Sequence, residues 1–446
     1  MSTGLDLTNG SISKKLLFFS APLMIGNILQ QLYNIVDTVI VGKYLGQNAL
    51  AAVGSAYTIM IFITSIISGL CMGSSVFFSI QYGKKAYNTI KQSFFISFVS
   101  ILLVTAVLNL LAYTLMNKLI IFMQIPIEIQ SLFRQYLLVI FSGIIATFLY
   151  NIFSNLLRAV GNSIAPLLFL ALSTVVNIIL DLLFIIKFDL GVIGAGTATV
   201  ISQYISGLGL IMYYYIKCTN LRVNRRHMKW NKSIFCELFS LSAMTCIQQS
   251  IMNFGILMVQ GLVNSFGTAV MAAFAAGVKI DTVAYSPVQD FGNAFSSFIA
   301  QNYGAEKKDR IHKGIKTAIT MVIVFCIIIS SLVYLLAPQL MMAFVDKESI
   351  DVIEIGVKYL RIEGTFYIGI GILFLLYGYY RAIKKPAMSV VLTIISLGTR
   401  VALAYALSTF ASIGVIGIWL SIPIGWFLAD LIGIIYYQLI KRSCDF

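Results

Sequence analysis

Gln30, Tyr33, Asn34 and Asp37 stand three, four and seven residues apart in the run QQLYNIVDTVIVG (30–42). On a helix those spacings put all four on one face. Asn177 and Asp181 repeat the pattern at i and i+4 in NIILDLLF (177–184). A carboxylate in the middle of an apolar helix costs about 2.5–3.5 kcal/mol to place in a bilayer, so it faces a cavity or a partner and is a functional candidate by default. If the two faces meet, two carboxylates and several amides converge. Oxygen donors of this kind suit a hard cation such as Na⁺. Two carboxyls sharing one site can equally take up a proton. Both chemistries need the same arrangement, and the residues leave the choice open.

Polar residues recur in the second half with different chemistry. Gln248, Gln249, Asn253 and Gln260 are amides where the first half has an acid, followed by Lys279, Asp281 and Asp290. Arg400 falls inside an apolar stretch and needs a counter-charge if buried. Asp281 or Asp290 is expected to supply it. Glu363 is expected near a membrane boundary. The six cysteines (Cys71, Cys218, Cys236, Cys246, Cys326, Cys444) form no CxxC pair, and His227 and His312 lie in basic loops. A soft-metal site and a histidine-based triad are therefore not expected. No GxxxxGK[ST] motif occurs, which argues against direct ATP drive. No cofactor is expected beyond H⁺ or Na⁺ as a coupling ion.

The elements that must carry these residues follow from composition. The 446 residues are 59% hydrophobic and 11% charged, against roughly 25% charged in a soluble domain. Gly, Pro and charge clusters divide the chain into about twelve long apolar segments. They cover 16–41, 49–80, 92–116, 132–157, 165–187, 191–217, 235–263, 269–301, 314–337, 355–380, 386–408 and 413–440. The fold class is an all-α integral membrane protein, not a soluble enzyme or a β-barrel. The run from Leu16 lacks a small-residue cleavage site and is too long for a signal-peptide core, so it is read as the first span. Most of the 31 Lys and Arg fall in alternate connections, which places both termini in the cytoplasm. The net charge of +14 is accounted for in this way, and no nucleic-acid partner is implied.

The longest basic loop, CTNLRVNRRHMKWNK (218–232), divides two similar halves. SIQYGKK (79–85) pairs with AQNYGAE (300–306), and GVIGAGTA (191–198) with GVIGIWLS (414–421). The offset is 221 residues at Gly83/Gly304 and 223 at Gly191/Gly414, so one small indel separates the copies. Expected domains are an N-terminal lobe (1–217), a basic cytoplasmic linker (218–234) and a C-terminal lobe (235–446). Each lobe has six helices, in parallel repeats around a central cleft, as in secondary transporters. A Met- and Phe-rich cleft would give an adaptable wall, with Tyr33, Met252 and Met258 as candidates by position.

LYNIVDTVIVGKYLGQNALAAVG (32–54), LRAVGNSIAP (157–166), NIILDLLF and IAQNYGAEKKDR (299–310) together resemble the multidrug and toxic compound extrusion (MATE) family, in its DinF-like branch. The likeness runs from about residue 15 to 440. It implies a monomeric secondary antiporter of the plasma membrane that exports small organic, often cationic, compounds against H⁺ or Na⁺. The alternative on the same fold is a flippase or exporter for a lipid-linked precursor or peptide. The resemblance assigns the cation site to Asp37, Asn177 and Asp181, with Asn151 and Thr199 as further members for which Asn155 and Thr197 compete. Substrate contacts would come from Gln30, Tyr33, Asn34, Gln249, Asn253, Gln260, Asp290 and Arg400. Some relatives bend helix 1 when its acid is protonated, which here points to Pro22; a harmless first-turn proline is the other reading. Relatives that bind Na⁺ in the second lobe carry acids on helices 7 and 10. The helix 7 acid is missing here, so ion coupling is expected in the first lobe.

Overall fold

The computed structural model describes residues 4–410 and 413–442, and among them every regular element is helical. In chain order they are α1 (Ile12–Gly83), α2 (Tyr87–Thr114), α3 (Met116–Phe122), α4 (Ile127–Ser142), α5 (Ile144–Ala159), α6 (Ile164–Leu182), α7 (Gly191–Lys217), α8 (Lys232–Asn264), α9 (Thr268–Gly304), α10 (Lys308–Met342), α11 (Ile350–Thr365), α12 (Tyr367–Ala382), α13 (Pro386–Ser408) and α14 (Val415–Arg442). Among the described residues nine helices are long and apolar enough to cross a membrane, or eleven when the bent pairs α4–α5 and α11–α12 each count as one span. The long α1 is kinked at Gly46, which makes it two spans and the total twelve.

The backbone repeats as the sequence does. Gly46 (φ +84, ψ −179) is matched at 221 residues by Gly267 (φ +100, ψ 170). Both lie in a region that only glycine enters without strain. Lys85 and Glu306 share φ +58. At an offset of 223, Gly143 and Phe366 divide the fourth span of each copy, with bends of 42° and 51°. Gly191 and Gly414 follow, with φ +57 and +50. The change of offset falls between Lys85/Glu306 and Gly143/Phe366, a stretch that includes the connection between the third and fourth spans, residues 123–126 in one copy and 343–349 in the other.

By its contacts the chain forms two units. One is Ile25–Cys246 with the residues up to Asp6; the other is Leu7–Met24 with Ile247–Phe446. The division therefore falls within α1 and α8 and not at the basic loop. Packing explains why. A Cβ on Gly69 would stand 2.6 Å from the Cys246 Cα, and one on Gly73 would stand 2.4 Å from the Ser242 Cα. Small residues in α1 thus let the first turns of α8 dock tightly in the first unit. In the second unit, Asn302 and Arg310 donate to the Leu7 carbonyl at 3.2 and 3.1 Å, and Lys307 donates to the Thr8 carbonyl at 2.9 Å.

The loop read as a linker is also structured. It forms 3₁₀ turns at Thr219–Leu221 and Arg225–His227. It packs on α2, where Gln92 donates to the Lys229 carbonyl (3.0 Å) and the buried His227 ring meets Asn88 Oδ1 (3.3 Å). Burial, with Lys91 and Arg226 nearby, lowers the His227 pKa below the usual imidazole value.

In the first unit α7 packs against α4, α5 and α6 around a core that includes Phe94, Phe153 and Tyr214, with ring centroids 5.3–5.8 Å apart. In the second, Trp419 stacks on Phe274 at 5.4 Å and meets Tyr359 edge-on at 4.9 Å. A Cβ on Gly378 would lie 2.5 Å from the Gly292 carbonyl, so α12 and α9 touch backbone to backbone. Pro22 lies ten residues into α1, which removes the first-turn reading. The only residue inside α1 with non-helical angles is Gly46. Of the cysteines, Cys71, Cys218 and Cys326 are buried, Cys246 is half-buried and Cys236 is exposed, and none of these five is in a disulfide among the described residues; Cys444 lies outside them.

Candidate ion-coupling site

In the first unit α1 and α6 bring their polar faces together. The Asp37 carboxyl faces that of Asp181, close enough for the two to share a hydrogen bond when one carries a proton. Tyr33 OH and Thr199 Oγ1 meet at 3.2 Å, which brings α7 into the group. Asn34 donates to Tyr57 OH at 3.3 Å. Tyr136, from α4, stands close to both acids. Asp181 is fully buried and Asn177 is 1% exposed. Both oxygens of Asp181, both amide atoms of Asn177 and one oxygen of Asp37 have no hydrogen-bond partner in the protein. Buried polar atoms are nearly always satisfied, so orphans concentrated at one place mark a position for something else. Two like charges facing each other with so few donors require a balancing positive charge. A proton and a hard cation both supply it. Just beyond Asp181, Leu183–Lys187 forms a π-helical turn, a deviation often found at functional sites. Nothing in the sequence announces it.

The remaining candidates divide. Thr199 joins the group through Tyr33, whereas Thr197 bonds back to the Ile193 carbonyl. Asn151 and Asn155 donate to carbonyls one turn earlier in α5, those of Thr147 and Asn151. Gln30 and Asn253 are exposed, Gln249 is half-buried, and Gln260 donates to Asn264 Oδ1 at 2.9 Å. The amide that α8 buries is Gln248, at 1% exposure. Asp290 is half-buried, with one oxygen enclosed.

The second unit holds a different polar group. Asp281 of α9, Glu363 of α11 and Arg400 of α13 line a cavity of about 90 Å³. Tyr367 donates to Asp281, and Tyr359 lies within bonding reach of both acids. The two carboxyls face each other within the field of Arg400. Of the two aspartates proposed as partners of Arg400, Asp281 is the one in this cavity. Glu363 corrects the sequence reading: it is 4% exposed and sits beside the bend of its span, far from either end. The bend at Phe366 lengthens the span to Ile350–Ala382 and carries Glu363 inward. Asp430 of α14 was missed altogether. It is a buried acid in the apolar run WFLADLIGI (426–434), with one oxygen unpartnered. The signal that singled out Asp37 was present there too.

A duplicated six-span helical unit, with acids paired within the spans, defines a multi-pass membrane transporter. The MatE family model matches the chain twice, over residues 22–183 and 241–406. The chain belongs to the MatE family of multidrug efflux transporters, which are membrane transporters of small organic compounds and not enzymes. It is 30% identical over 438 residues to the probable multidrug resistance protein YpnP of Bacillus subtilis, covering 97% of this chain and 96% of that one. A solved MATE in complex with MaL6 has the same fold, with a TM-score of 0.93 at 22% identity and coverage of 99% of each chain. A transporter of the MOP superfamily from Pyrococcus furiosus, described by a binding pocket of reversed polarity, matches with a TM-score of 0.92 at 22% identity, over 98% of this chain and 97% of that one.

Proposed function

We propose that this chain is a secondary antiporter of the cell membrane, with both termini cytoplasmic. It exports organic, drug-like cations in exchange for H⁺ or Na⁺ by alternating access. The observation that carries this reading is the facing pair Asp37–Asp181, with the orphaned atoms of Asn177 beside it. The coupling ion enters from outside and balances the acid pair. Asp181 and Asn177 hold it from α6, and Asp37 holds it from α1. Tyr33 and Thr199 tie the rim of the site to α7. Occupancy acts on substrate through α1, which has Pro22 fifteen residues before Asp37 as its weak point. Exchange of one proton for one monovalent cation is electroneutral. Each pH unit is then worth about 1.4 kcal/mol and supports about tenfold accumulation.

The test is efflux of a monovalent cationic dye from proteoliposomes, with a pH gradient and a Na⁺ gradient imposed separately. One gradient is expected to drive efflux in the wild type, and Asp37→Asn to lose it. Efflux intact in the variant would remove coupling from Asp37. A wild type inert under both gradients would favour the lipid-linked precursor as cargo.

A further inference from the structure

At the repeat offset of 223 residues, Asn177 corresponds to Arg400 and Asp181 to Ala404. In the first unit this helix supplies an acid and a neutral amide, and the positive charge must come from solution. In the second unit the same helix position supplies a guanidinium, and the acids come from α9 and α11. We propose that Arg400 is a built-in counter-cation that takes the place of a coupling ion in the second unit, so that the Asp281–Glu363 pair is closed to exchange with solution cations.

The cavity carries the inference. Asp281 is 2% exposed and Glu363 4%. Asp281 Oδ1 accepts from Tyr367, while Asp281 Oδ2, Glu363 Oε1 and Arg400 Nε have no hydrogen-bond partner in the protein. Two carboxylates and one guanidinium leave one negative charge. A single proton held between the facing carboxyls makes the group neutral without any bound ion. Tyr285, Tyr359 and Tyr377 are the other titratable groups on the cavity wall. On α14, Trp426 faces the cavity and Asp430 stands apart from it, beside Gly369. A metal ion entering this space would meet a positive charge that is already fixed there. The first unit has no such charge among Tyr33, Asp37, Asn177, Asp181 and Thr199.

The test separates this proposal from the first-unit reading. Full-length protein in nanodiscs carries Asp37→Asn and Asp181→Asn, and ²²Na⁺ binding and proton release or uptake are counted. This protein is expected to show no exchange that depends on Glu363. Adding Arg400→Gln is expected to create one Na⁺-binding or proton-uptake event per chain, which Glu363→Gln removes and which Arg400→Lys does not create. Glu363-dependent exchange before Arg400 is altered would overturn the proposal. So would a folded Arg400→Gln protein, judged by circular dichroism, that gains no event. Exchange that survives without depending on Glu363 would sink the first-unit assignment and leave this one standing. If Arg400→Gln does not fold, Glu363→Gln alone decides: ion stoichiometry unchanged from wild type supports the proposal, and a loss overturns it.

Discussion

The two six-span copies share their backbone down to individual torsions, and they differ where charge is buried. Gly46 and Gly267 adopt the same glycine-only conformation, and Gly143 and Phe366 bend the same span. Yet the first copy pairs a buried acid with a half-buried one among amides and hydroxyls, and the second buries two acids beside a half-buried arginine. A framework that is duplicated and then held constant can keep one copy as an ion site and settle the other electrostatically. The scaffold is fixed by glycines and apolar packing. The chemistry is fixed by a few side chains that leave the backbone unchanged.

The comparison breaks most visibly at Asp181. Asp181→Asn is expected to abolish gradient-driven dye efflux, removing the roughly tenfold accumulation that one pH unit supports. A double variant with Asp37→Asn should be no worse than either single one, because the two acids act as a unit. Flux from proteoliposomes reads both; additive losses would mean that the acids work separately. Next in size is a stability contrast at the 223-residue offset. Arg400→Ala leaves the second acid pair without its cation and should cost about 3 kcal/mol. Asn177→Ala removes an amide that has no partner and should cost less than about 1 kcal/mol. Thermal melts of the two purified variants would show it, and equal losses would undo the distinction. The smallest effect sharpens the likeness instead. Gly46→Ala and Gly267→Ala force a side chain into the same strained region, and each should cost about 2 kcal/mol. Unequal shifts in the two melts would show that one kink carries more of the fold than the other.

Much of this was legible in the sequence. Apolar length and charge punctuation mark twelve spans, because a bilayer tolerates little else. The duplication can be read from short glycine-bearing echoes such as QYGKK and QNYGAE. Asp37 and Asp181 stand out because a carboxylate among aliphatic residues has few harmless explanations. The rest depends on tertiary placement. Glu363 looks peripheral until the bend after Thr365 extends its span. The choice between Gln248 and Gln249 turns on about 100° of helix rotation, which hydropathy does not resolve. The π-turn after Asp181 and the docking of the basic loop on α2 leave no pattern in composition.

The shift of offset from 221 to 223 also records the history of the chain. The drift in length lies at or before the connection between the third and fourth spans, which has four residues in one copy and seven in the other. Such a connection absorbs added chain at little thermodynamic cost. Residues 343–349 are therefore the place to splice a fluorescent or affinity label into the transporter, outside every helix that carries a member of either acid group.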